Sequence, residues 1–156
     1  MIVGVDCGKN RVHLVAEDGS GFQVTQKPGT ERGDALMAMR ATLVNRINTM
    51  WADPMLFVEE AVLAGVRNIR STIGIAETVG MVLSLEMPTI LVPVSSWKKT
   101  VLGRGNAKKE DVTSWYERTG GQLKGQDYHD AAAICAYGVR TMEIARRLGR
   151  GGLVTG

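Results

Sequence analysis

Four acidic residues stand where the sequence pattern predicts the end of a strand or the start of a helix. Asp6 and Glu59 each follow a short apolar run, and Asp127 and Asp130 open a long helical pattern. Asp127 and Asp130 are three positions apart, so within one helical turn they share a face. Carboxylates at strand ends can meet in space although they are distant in sequence. The four residues are therefore candidates for one site.

The chemistry that suits such a set is the binding of a hard divalent cation. Mg²⁺ is held by a few carboxylates and several waters, and two ions can bridge the attacking and leaving oxygens of a phosphodiester. Each acid alone also fits a turn, a strand-end charge or a helix cap. Glu60 competes with Glu59, because neighbouring residues of a strand face opposite sides and a buried central strand has no polar face to decide between them.

A basic segment lies before the last helix. Five cationic residues precede the acidic Glu110, namely Lys98, Lys99, Arg104, Lys108 and Lys109. Gly103 and Gly105 would let the backbone approach a phosphate, and the next helix would offer free N–H groups. The alternative is a solvated lysine-rich surface. The clustering favours contact with a polyanion, although the net charge of the chain is only +3.

The elements that must position these residues follow from apolar spacing and turn residues. Strands are predicted at residues 2–5, 12–15, 22–24, 55–58 and 89–94. Helices are predicted at residues 35–50, 66–85, 107–118 and 128–148, with a further short helix capped by Ser95 or Ser96. Three strands, a helix, and then alternating strands and helices predict an α/β fold with a mixed sheet and helices on its faces.

The composition is that of one folded domain. The 156 residues are 44% hydrophobic, and we expect a single domain at residues 1–150 with a disordered tail at 151–156. Cys7 and Cys135 lack the spacing of a zinc site or a disulfide framework, which favours reduced thiols. No signal peptide or membrane span is expected, and the expected location is the cytoplasm of a bacterial cell or phage-infected host.

Four segments in this order resemble the motifs of the RuvC family of Holliday junction resolvases. They are Ile-Val-Gly-Val-Asp-Cys-Gly at 2–8, Leu-Phe-Val-Glu-Glu at 56–60, the basic segment at 97–112, and Asp-Tyr-His-Asp-Ala-Ala-Ala-Ile-Cys-Ala at 127–136. The resemblance extends over residues 2–138. It implies a ribonuclease-H-like fold with a mixed five-stranded sheet and helices on both faces.

The resemblance also implies a function and its residues. It implies a homodimer that resolves four-way junctions in branched DNA with Mg²⁺, two ions per site, and Mn²⁺ as a substitute. Its metal-binding and catalytic residues would be Asp6, Glu59, Asp127 and Asp130, with Glu59 preferred to Glu60 by the family's apolar-apolar-Glu pattern. The five basic residues would bind DNA, and Lys98 and Lys109 match the family's basic positions best.

Some features remain open. An aromatic residue that the family places after its glutamate is replaced here by the apolar Val62 and Leu63.

Two other functions fit the same sequence. One is a nuclease for other branched DNA or RNA–DNA hybrids, and the other is a non-catalytic junction-binding protein. His13 and His129 are interpreted as structural. A stripe of the helix after Glu59 fits a dimer interface or the core equally well, and it comprises Ile69, Ile73, Ala76 and Val79.

Overall fold

The computed structural model describes residues 1–61 and 69–151, without the side chains of the last two. Its strands are β1 (Ile2–Cys7), β2 (Arg11–Ala16), β3 (Gly21–Thr25), β4 (Met55–Glu59) and β5 (Thr89–Val92). Its helices are α1 (Arg32–Met50), α2 (Ile69–Leu83), α3 (Val94–Leu102), α4 (Lys109–Arg118) and α5 (Gln126–Gly151). Val62 and Leu63 lie outside the described residues.

One sheet organises the described residues. Its five strands run in the order β3-β2-β1-β4-β5. β1, β2 and β3 are antiparallel neighbours, whereas β4 is parallel to both β1 and β5. The predicted α/β fold with a mixed five-stranded sheet is confirmed.

Alternation along β1 divides the core into two layers. Val3 and Val5 pack on one face with Leu43 of α1 and Val82 of α2. Ile2 lies on the opposite face and packs with α3, α4 and α5. Successive strand residues point to opposite faces, so Gly4 and Asp6 also belong to the α5 side. The helices lie on both faces of the sheet, as predicted.

The start of α3 differs from the prediction. The residue that caps α3 is Pro93, and neither Ser95 nor Ser96 does so. Pro93 has φ −62° and ψ 138°, and its carbonyl accepts from the Ser96 N–H at 3.0 Å. Proline lacks an N–H to continue the ladder of β5, so the strand ends at Val92, before the predicted position 94.

The exposure of residues along α2 does not follow the apolar spacing of the sequence. Ile69 is 53% exposed and Ile73 is 51% exposed, while Val79 is buried. The helix instead buries Thr72, Gly74, Thr78, Val79, Met81 and Val82. Of the two uses that the sequence left open for this stripe, core packing applies to Val79 and does not apply to Ile69 and Ile73. The helices in the described part of the chain include no candidate membrane span.

Candidate metal centre

The parallel pairing of β1 with β4 brings two carboxylates side by side. Val5 is paired with Val58, and one residue further along each strand lie Asp6 and Glu59. Paired residues of neighbouring strands point to the same face. Both carboxylates therefore face α5, whereas Glu60 follows the end of β4 and is exposed.

Close packing of α5 on β1 places the carboxylates of Asp127 and Asp130 near Asp6. A Cβ on Gly4 would lie 2.0 Å from the Ala131 carbonyl oxygen and 2.3 Å from the Cys135 N. The absent side chain thus lets the helix backbone touch the strand. Asp127 and Asp130 occupy the first turns of this helix, so the close approach places them beside Asp6.

Burial and neighbouring negative charge both disfavour ionisation of the carboxylates in this cluster. Burial, followed by the charges of Glu59, Asp130 and Asp127, raises the pKa of Asp6 well above its usual value. Burial is also the largest cause that raises the pKa of Glu59 and of Asp130. The site concentrates negative charge in a poorly solvated place, which is unfavourable unless a cation or protons compensate it.

Neutral donors orient two of the carboxylates. Trp97 Nε1, buried in α3, donates to Glu59 Oε2 at 2.9 Å. Gln126 Nε2 donates to Asp130 Oδ1 at 3.1 Å. Such partners fix the direction in which a ligating oxygen points.

Asp127 has a charged neighbour and a neutral one. Arg11 Nε lies 3.3 Å from Asp127 Oδ2, and the Arg11 side chain is exposed. His13 Nδ1 lies 3.8 Å from the same oxygen. His13 is the cross-strand partner of Asp6, and burial, as the largest cause, lowers the pKa of His13.

Three of these residues satisfy the spacing of a metal site. Donor atoms of Asp6, His13 and Asp127 all lie within 4.8 Å of one another. Carboxylate oxygens suit Mg²⁺ and Mn²⁺, and an imidazole nitrogen suits transition metals. The donor set therefore fits a divalent cation.

The basic segment reaches the site through two of its members. The positive charges of Lys98 and Lys109 oppose the raised pKa of both Glu59 and Asp130, and Lys109 also acts on Asp6. Lys98 Nζ donates to the Ala107 carbonyl at 2.9 Å, which ties α3 to the loop before α4.

The other three basic residues have different surroundings. Lys99 and Lys108 are exposed, and Arg104 pairs with Asp111 at 2.6 Å. Gly103 has a positive φ of 82° and forms the C-cap of α3. Its local role is therefore to end a helix, a conformation that glycine adopts at little cost.

Sequence interpretation missed His13, Trp97 and Gln126 as members of this site. The sequence did contain a signal for His13. A two-residue turn at Lys9 and Asn10 joins β1 to β2, and counting back from that turn pairs His13 with Asp6. Trp97 gave no such signal, since its contact with Glu59 depends on the packing of α3. His129 stacks on Tyr116 and lies 3.1 Å from Thr113 Oγ1, so it packs against α4.

The fold and this geometry define a ribonuclease-H-like α/β domain with a cluster of carboxylates at the end of its central strands. No protein-family model and no curated protein sequence matches the chain. Solved structures do match it. T. thermophilus RuvC in complex with a Holliday junction substrate has a TM-score of 0.70 at 19% identity, covering 87% of this chain and 90% of that one.

A second T. thermophilus RuvC structure has a TM-score of 0.67 at 19% identity, covering 90% of this chain and 95% of that one. The chain therefore has a RuvC-type fold, as the sequence motifs predicted.

Proposed function

We propose that the protein is a divalent-metal-dependent endonuclease that cuts four-way DNA junctions as a homodimer. The observation that carries the proposal is the convergence of Asp6, Glu59, Asp127 and Asp130 from β1, β4 and α5 in a RuvC-type fold. One of the matched structures holds a Holliday junction substrate, which supports branched DNA as the substrate class.

The four carboxylates are proposed to hold Mg²⁺, with two ions per site and Mn²⁺ as a substitute. A bound ion would supply Lewis-acid stabilisation of phosphate charge and acidify a water nucleophile. Trp97 and Gln126 hold one oxygen each of Glu59 and Asp130 in place. The protein thereby keeps ligand oxygens oriented before DNA binds.

Helices α3 and α4 would hold the DNA backbone. Lys109 is exposed at the start of α4, and Lys98 lies on α3. Both are close enough to the carboxylates for their charges to act there. A phosphate bound at the acidic cluster would lie near these cations, which would offset the repulsion between phosphate and carboxylates. Lys99, Arg104 and Lys108 are proposed to contact phosphates further along the same surface.

A dimer is supported by the exposed apolar stripe of α2. Ile69, Ile73 and Ala76 are exposed at spacings of four and three residues, which places them on one face of the helix. Within the described structure these three residues lie outside the core, whereas Val79, the fourth residue of the predicted stripe, is buried. A two-fold dimer through α2 would present two metal centres for paired incisions on opposing strands.

The test compares a synthetic four-way junction with linear duplex of equal length, each with and without Mg²⁺. We expect Mg²⁺-dependent cuts at symmetrically placed phosphates of the junction and tighter binding of the junction than of duplex at fixed salt. Equal affinity with scattered cuts would reject junction resolution and leave a broader nuclease. An RNA–DNA hybrid included in the series tests that alternative. Binding without cleavage in any metal would leave a non-catalytic junction-binding protein.

A matched pair of variants tests the residues. Glu59→Gln should abolish cleavage and retain junction binding, because a metal ligand is lost while repulsion of phosphate decreases. Glu60→Gln removes the neighbouring charge from an exposed position and should cleave normally. The opposite result would place the ligand on Glu60.

A further inference from the structure

His13 has a buried nitrogen without a partner. The residue is 4% exposed, and its Nδ1 is a buried side-chain atom that has no hydrogen-bond partner among the described residues. A buried polar atom of this kind costs free energy unless something in the working protein satisfies it. The direction in which Nδ1 points is therefore informative.

The other ring nitrogen determines what Nδ1 can do. His13 Nε2 lies 2.8 Å from Gln23 Oε1. A carbonyl oxygen only accepts, so Nε2 carries the proton and donates it to Gln23. In the neutral ring Nδ1 then presents a lone pair, and it faces Asp127 Oδ2 at 3.8 Å. Two acceptors face each other, which is the arrangement that a cation between them stabilises.

The spacing fits a shared ion. Metal–ligand distances are about 2.0–2.2 Å for nitrogen and oxygen ligands, so two ligands of one ion can be up to about 4.4 Å apart. The 3.8 Å separation of His13 Nδ1 and Asp127 Oδ2 lies within that limit. Asp6 lies beside this pair, with donor atoms of the three residues within 4.8 Å of one another, so a small movement of its side chain would bring it to the same ion.

We propose that His13 is a metal ligand, so that one of the two proposed ions is held by Asp6, His13 and Asp127, and that this one position binds Mn²⁺ or another transition metal more tightly than Mg²⁺. The inference rests on the proposed metal-dependent function and concerns the ligand set of that same site. An imidazole suits transition metals, whereas Mg²⁺ favours oxygen ligands. Gln23 acts behind His13 by fixing the tautomer and the ring orientation.

The positive charge of Arg11 would compete with a metal ion for the Asp127 carboxylate. Its guanidinium Nε lies 3.3 Å from the same Asp127 oxygen. Because the Arg11 side chain is 58% exposed, it can move into solvent when an ion occupies the position between Asp127 and His13. Arg11→Ala should therefore leave Mn²⁺ binding intact or strengthen it.

The decisive measurement is electron spin echo spectroscopy of Mn²⁺ added to the purified protein, which detects ¹⁴N coupled to the ion. The chain has two histidines, so His129→Phe serves as the matched control for His13→Phe. We expect ¹⁴N coupling in wild type and in His129→Phe, and its loss in His13→Phe. The phenylalanine keeps an aromatic ring against Tyr128, which the His13 ring contacts edge-on.

Calorimetric titration gives a second readout. His13→Phe should weaken Mn²⁺ binding by about tenfold or more, with a smaller effect on Mg²⁺. If His13→Phe does not fold, coupling in wild type that persists in His129→Phe still assigns the nitrogen to His13. Absence of ¹⁴N coupling in wild type overturns the inference, and Mg²⁺-dependent junction cleavage by that same protein would leave the proposed function standing. Coupling without any cleavage would support the ligand and reject the nuclease.

Discussion

Trp97 Nε1 donates a hydrogen bond of 2.9 Å to Glu59 Oε2. The indole belongs to α3 and is 1% exposed, and the carboxylate ends β4. Burial is the main cause that raises the pKa of Glu59, and the bond from Trp97 is the largest cause that opposes it. A helix from the basic segment thus controls the ionisation and direction of a candidate metal ligand.

Trp97→Phe should shift the acidic limb of the cleavage–pH profile to higher pH. The pKa of Glu59 is already raised, and loss of a donor to the charged form raises it further, so a higher pH is needed to ionise the ligand. Cleavage at neutral pH should fall by about tenfold or more. Trp115→Phe, a substitution of a partly buried tryptophan in the same core cluster, is the control and should leave the position of the limb unchanged.

Asp6→Asn should stabilise the metal-free protein while it abolishes cleavage. The folded state raises the pKa of Asp6, so the ionised group disfavours folding, and neutral asparagine should add about 1 kcal/mol at pH 7. For a domain of this size that is an increase in melting temperature of about 2–4 °C. Thermal unfolding in a chelator measures it.

The stability gained by Asp6→Asn relative to wild type should depend on pH in a defined direction. A raised pKa in the folded state means that the folded protein binds the Asp6 proton more tightly than the unfolded chain does. The ionised Asp6 therefore destabilises the folded state most at pH values above its raised pKa. This destabilisation should disappear as pH falls towards the ordinary value of 3.8. Stabilisation by Asp6→Asn that stays constant down to that pH would assign the effect to packing instead of charge.

Lys109→Ala should weaken junction binding and reduce its dependence on salt. Each phosphate contact that is removed lowers the slope of log affinity against log salt by about one unit. The control is Arg146→Ala, which removes an exposed cation from α5 sixteen residues beyond Asp130, about 24 Å along the helix. Equal slopes for wild type and Lys109→Ala would place the DNA path elsewhere on the surface.

Ile73→Glu should convert the proposed dimer to monomer. A charge on the exposed stripe of α2 would be buried without a partner in the interface. Sedimentation measures the mass, and strand-resolved mapping should show that paired cuts are lost. Ile144→Glu changes an isoleucine of similar exposure on α5 and should remain dimeric. A wild-type protein that sediments as a monomer at the concentrations used for cleavage would contradict the use of this stripe.

The order of motifs along the chain was enough to predict the RuvC-type fold and the elements that carry the carboxylates. Apolar runs locate β1 and β4, and helical spacing locates α5, because these patterns depend on local burial and are visible in one dimension. The spacing of Asp127 and Asp130 likewise implies a shared face, because helical geometry alone places residues three apart on one side.

The tertiary structure decided which side chains meet. Glu59 lies beside Asp6, and Glu60 does not, because the β1–β4 register sets which residues share a face. His13 joins the site through cross-strand pairing, and Trp97 reaches Glu59 through the packing of α3. The exposure of Ile69 and Ile73 also required the structure. Apolar spacing locates a helical stripe, whereas the surface it contacts depends on how the helix is rotated against the sheet.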